Sequence, residues 1–184
     1  MLPPGHLGMI SVIVTEVFFF ASLIVVYLAY LGKSISGPLP ENTLSMGLVS
    51  INTVALLLSS ATVVFALKAL RKGNNASFLM MLLLTVLLGV WFLAGTAIEW
   101  RGLIADKHLA LQTNLFGTTY YTLVGFHAFH VTFGVFALFV IWCCGALGWI
   151  QKHHHQNIEY VSWYWHFVDV VWIAVFLVVY VIGR

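Results

Sequence analysis

Apolar positions along the chain gather into five long blocks, at about 9–31, 44–67, 78–100, 117–142 and 160–182. Each is long enough, at about 1.5 Å per helical residue, to cross a hydrocarbon core of about 30 Å. The polar stretches between them are short: KSISGPLPENT, KALRKGNNAS, RGLIADKHLALQTN and CGALGWIQKHHHQNIE. Short connections make neighbours in sequence antiparallel neighbours in space. The pattern therefore predicts an all-α membrane protein, one bundle of five transmembrane helices forming a single domain over residues 1–184.

The informative positions are those that interrupt the apolar blocks. Residues 162–172 read SWYWHFVDVVW inside the last block. Counted from residue 160, His166 lies about 9 Å deep and Asp169 about 13 Å deep, where a lone Asp costs about 3 kcal/mol. Such a residue requires a partner, and the i, i+3 spacing puts both side chains on one helix face. Glu16, about 10 Å inside the first block, is likewise either protonated or paired. Its bland reading is a structural hydrogen bond between helices; its sharper one is a proton-handling carboxyl. In the fourth block, His127 and His130 share a face at i, i+3. If successive spans alternate in direction, Glu16, His130, His166 and Asp169 fall within a slab of about 10 Å and can join, with His127, in one buried polar network. Asn52, Thr53, Ser59, Ser60 and Thr62 read as packing residues. Glu99 sits at a span end, within reach of water or Arg101, and residues 170–182 read as uniformly apolar.

Composition agrees with a membrane protein: 61% of residues are apolar, 15% aromatic and 8% charged. The few dispersed basic residues, at a formal net charge of +2, exclude a nucleic-acid partner. Adjacent Cys143 and Cys144 are too few and too local for a disulfide framework or a four-ligand metal site. The N-terminal MLPPGHLG lacks a basic cleavable-signal region, so the mature chain is expected to start near Met1. Lys68, Arg71, Lys72 and Lys152 fall on one side and Lys33, Arg101, Lys107 and Arg184 on the other, a tie in number. The compact Lys68, Arg71, Lys72 group breaks it toward a cytoplasmic N-terminus and an outside C-terminus. His153, His154 and His155 then form a cytoplasmic cluster that titrates near neutrality, a proton-collecting surface.

Buried histidines and carboxyls also raise a metal or haem reading. A binuclear carboxylate bundle needs Glu-x-x-His pairs on two helices, and the sequence has none. His127, His130 and His166 could serve as haem ligands in principle. Interior histidines satisfied by Glu16 and Asp169 account for the same residues with fewer parts. A stand-alone proton-linked transporter needs broken helices or a polar stripe reaching both surfaces. Neither is evident.

GTTYYTLVGFHAFHVTFG together with HHHQNIEYVSWYWHFVDVVW resembles subunit III of the haem-copper terminal oxidases, above all cytochrome c oxidase. The first block's VTEVFFF and the second block's SINTVALLLSSATVVFALKAL resemble earlier helices of that family in the same order. The long form of the family has seven helices; this chain has five, like the short bacterial form. The resemblance implies an accessory subunit without redox centres, lying against subunit I and joined to subunit II, whose partners hold the haems and copper. It further implies support of proton uptake, protection during turnover, bound phospholipid and a place in the bacterial cytoplasmic membrane. On the same ground Glu16 matches a buried carboxyl known for reacting with carbodiimides. His127 and His130 match the family's paired histidines, and Glu159, Trp163, Trp165, His166 and Asp169 its last-helix motif. A ubiquinol oxidase subunit III shares the ending and is the alternative.

Overall fold

The computed structural model describes residues 4–34, 37–44 and 46–183, so Met1 and Arg184 lie outside the described residues. Among the described residues the architecture is helical and contains five helices long and apolar enough to cross a membrane. Helix α1 spans Pro4–Tyr30, α2 is a single turn at Pro40–Thr43, and α3 spans Met46–Arg71. They are followed by α4 at Asn75–Ala105, α5 at Leu115–Ala146 and α6 at His155–Phe176. A 3₁₀ turn at Lys152–His154 leads into α6, and a π-helical turn at Leu177–Ile182 ends it.

The long helices exceed the apolar blocks because caps lie beyond the last apolar residue. After α3, Gly73 adopts φ 77°, its N–H donates to Leu70 O, and Asn74 N–H donates to Ala69 O. These are the paired bonds of a helix stop that needs a left-handed residue, which glycine supplies without steric cost. The Asn74 side chain then accepts from Ser77 N–H and starts α4, so RKGNN ends one helix and begins the next. Gly148, at φ 77°, ends α5 with the same pair of bonds to Gly145 and Cys144.

The spans alternate in direction. Glu16 meets His130, while Phe19 meets Phe126, so α1 and α5 run antiparallel. His6 meets Tyr160, and Tyr27 lies at Gly183, so α1 and α6 run parallel. One end of the bundle collects His6, Arg71 and the Lys152–His154 turn; the other collects Tyr27, Glu99, Tyr120 and Tyr180.

Burial sets α6 at the centre and α1 at the edge. Half of the most apolar window of the last span is buried, against 6% of that of the first. The centre is Trp165, fully buried with its indole Nε1–H donating to Ser59 Oγ at 3.0 Å. Gly134 of α5 and Gly89 of α4 make room for it. A Cβ on Gly134 would stand 2.7 Å from the Trp165 ring, and one on Gly89 would stand 3.0 Å from it. Small residues at crossings let helix backbones approach where lipid gives no hydrophobic drive to associate.

Candidate functional site

Glu16 lies about 18 Å along α1, which begins at Pro4, near the middle of that helix. Its Oε2 lies 3.1 Å from His130 Nε2. The other imidazole nitrogen, Nδ1, is 2.7 Å from Phe126 O, the carbonyl four residues back in α5. A carbonyl only accepts, so Nδ1 carries a hydrogen. The Nε2 to Oε2 contact then holds a single proton, either on the imidazole beside a carboxylate or on the carboxyl beside a neutral ring. Both arrangements have zero net charge, which is how a Glu is tolerated at this depth. Phe20 packs edge-on to the His130 ring at 4.9 Å, and Tyr164 Oη donates to His130 O at 3.2 Å.

The last-helix motif is held from α3. Trp172 Nε1–H donates to Thr53 Oγ1 at 3.0 Å, Trp165 to Ser59, and His166 Nδ1 lies 2.6 Å from Ser60 Oγ. The Ser162 hydroxyl is 3.3 Å from His166 Nε2. At the end of α3 the series continues as Arg71 Nη2 to Glu159 Oε2 at 2.8 Å. Thr53, Ser59 and Ser60, which the sequence offers as packing residues, thus anchor Trp172, Trp165 and His166 of α6.

Asp169 departs from the sequence expectation of a partner. It is 3% exposed, and neither carboxyl oxygen has a hydrogen bond among the described residues. Ser60 is the hydroxyl that faces it, and when its oxygen accepts from His166 Nδ1–H its own hydrogen is left to donate toward the carboxyl. His127 departs as well. It is fully buried, neither ring nitrogen is hydrogen-bonded, and the ring stacks on Trp172 at 4.8 Å with Phe92 edge-on at 5.7 Å. The five expected residues therefore form separate groups: the Glu16 and His130 pair, His166 among hydroxyls beside Asp169, and His127 in an aromatic stack. No hydrogen bond joins these groups among the described residues, because their side chains leave α5 and α6 toward different neighbours.

Trp163 is half-buried and edge-on to His6 at 5.2 Å. His153 and His154 lie in the turn before α6 with ring centroids 3.8 Å apart, and His155 opens the helix. Among the described residues no group of three or more His, Cys, Asp or Glu side chains is arranged to hold a metal ion. Cys143 and Cys144 are free thiols.

A second polar cluster was not anticipated. Tyr180 Oη donates toward both Glu99 carboxyl oxygens at 3.1 Å and lies 3.1 Å from Tyr120 Oη. Glu99 thus bonds to Tyr180 and not to Arg101, and residues 170–182 are not the uniform apolar run they appear in sequence. Tyr180 lies in the π turn and is buried. The available signal was Tyr180 itself, a hydroxyl in an apolar run at the depth of Glu99.

Comparison with known proteins gives a consistent result. The sequence model of the family described as "Cytochrome c oxidase subunit III" matches residues 5–184. The chain is 35% identical over 178 residues to "Cytochrome c oxidase subunit 3" of Synechocystis sp., covering 95% of this chain and 74% of that one. It is 33% identical over 168 residues to the protein of the same name from Alkalihalophilus pseudofirmus, covering 91% and 82%. To that of Pongo pygmaeus it is 32% identical over 185 residues, covering 94% and 67%.

Proposed function

Because the chain belongs to the cytochrome c oxidase subunit III family, we propose that it serves a proton-pumping haem-copper terminal oxidase as a redox-silent accessory subunit. The observation that carries this reading is a family match running from the start of α1 through the last span. It is a multi-pass membrane protein of an oxidase complex. In this reading it lies in the bacterial cytoplasmic membrane with its N-terminus inside and docks on subunit I, with subunit II in the same assembly. The haems and copper belong to those partners, and phospholipid fills the lipid-facing grooves. The names of its relatives support cytochrome c over quinol as the electron donor.

The chemistry of the bundle fits a rigid accessory. Glu16 and His130 neutralise one another, and His166 is satisfied by two hydroxyls, so the ionisable groups brace helices against one another. His153, His154 and His155 lie beside Arg71 and Lys152 at the end assigned to the cytoplasm, where they would collect protons for uptake by the partner chain. The test is removal of this chain from the purified complex. The haem spectrum and initial electron transfer should persist, while proton uptake slows and activity decays over repeated turnover. Unchanged long-term turnover, or loss of a haem with this chain, defeats the proposal.

A further inference from the structure

A line of oxidisable rings runs inward from one end of the bundle. The ring centroids of Trp100 and Tyr121 are 5.3 Å apart, those of Tyr121 and Tyr120 5.1 Å, and those of Tyr120 and Tyr180 6.5 Å. Tyr121 lines an open cavity of about 370 Å³ together with Gly125, Phe126 and Phe129, so the outer end of the line can be reached by a small molecule. Its inner end is closed, since Tyr120 and Tyr180 are both fully buried.

The hydroxyl groups along the line differ in what they can do with a proton. Tyr121 Oη donates to Leu109 O, a backbone carbonyl that is no base. Tyr180 Oη donates toward both oxygens of Glu99, a side chain that is a base in its carboxylate form. With that hydrogen committed, the 3.1 Å contact between the two inner phenols is Tyr120 Oη donating to Tyr180 Oη.

We infer that Glu99, Tyr180 and Tyr120 form a radical site, which yields one electron to a small oxidant of the peroxyl class and keeps the vacancy as a neutral tyrosyl radical on Tyr180. The oxidant draws its electron from Trp100 or Tyr121 and leaves as a peroxide anion. That electron is replaced ring by ring from Tyr180, whose O–H bond breaks as the proton passes to Glu99. The products are the Tyr180 phenoxyl radical, the Glu99 carboxylic acid and the peroxide anion, so the single negative charge has moved from Glu99 to the departing oxidant. The base decides where the vacancy settles. A phenol that loses an electron and keeps its proton leaves a charged ring in a dry interior, which is costly. Tyr180 alone in this line escapes that cost, because its proton has a carboxylate to go to. Its radical oxygen then accepts from the new Glu99 O–H and from Tyr120, so the product stays hydrogen-bonded.

The inference stands apart from the oxidase reading, because its readout is a radical on this chain. The chain in its intact complex is flash-oxidised with a ruthenium bipyridine complex and persulfate, frozen, and read by electron paramagnetic resonance, with tyrosine or 3-fluorotyrosine at position 180. Wild type should give a neutral tyrosyl signal, and the fluorine label should split it while leaving the packing as it is. Glu99→Gln keeps the side chain's shape and should slow radical formation about a hundredfold, the scale of losing a proton acceptor. Glu99→Asp should recover part of that rate, which a merely structural role for the carboxyl would not produce. Tyr164→Phe, outside the line with its hydroxyl on the His130 carbonyl, should leave the signal unchanged. No tyrosyl radical, a radical without fluorine splitting in the labelled protein, or an undiminished rate in Glu99→Gln would overturn the site.

Discussion

Glu16 and His130 show how one pair of side chains makes a mid-membrane acid tolerable. The Phe126 carbonyl fixes a hydrogen on one ring nitrogen, so the other shares a single proton with the carboxyl. Removing either partner strands the other in a region where lipid offers no hydrogen bond. A double-mutant cycle with Glu16→Gln and His130→Gln should give a coupling on the order of 1 kcal/mol, read from thermal unfolding in detergent. Additivity of the two changes would show that the contact contributes nothing. At this scale the need for a partner was legible from depth, but its identity was not. The choice between His127, His130 and His166 depends on which side of α5 each ring leaves, and that is set by helix rotation. Tyr180 was the one signal of its cluster, and its pairing with Glu99 and Tyr120 was hidden for the same reason, since the three come from different parts of the chain. Depth demanded a partner for Asp169 as well, and the hydroxyl that faces it, Ser60, also meets His166, a sharing that no spacing within one helix records.

Helices pack here by exchanging bulk for glycine. Trp165 occupies the space that Gly134 and Gly89 leave open, and its indole is tied to Ser59 of a third helix. Gly134→Ala would put a methyl group 2.7 Å from the Trp165 ring, with α4 and α3 closing the other sides. The overpacking should cost about 1–3 kcal/mol and lower the midpoint of thermal unfolding. Gly8→Ala, on α1 with nothing within 4 Å of its Cβ, is the control and should leave the midpoint unchanged or slightly raised. The number and order of the spans could be read from the apolar blocks. Their ends could not, because Gly73 and Asn74 close one helix and open the next with backbone and side-chain bonds that no hydropathy pattern records. The π turn at Leu177–Ile182 was hidden as well, since an apolar run has the same appearance in either helical form.

The molecule as a whole is built around its last span. Helix α6 touches α1, α3 and α5, whereas α1 packs on α5 and α6 alone among the main contacts. That arrangement orders biosynthesis. The ribosome delivers α1 to the translocon first, yet its partners are the final two spans, and 114 residues separate Glu16 from His130. At about 5–20 residues per second, the glutamate waits roughly 6–23 s for its imidazole. Nascent chains stalled before α5 emerges should therefore photo-crosslink from α1 to insertion factors or lipid, and chains stalled after α6 should crosslink to their own helices. Equal crosslinking at both lengths would mean that α1 finds a temporary partner within the chain.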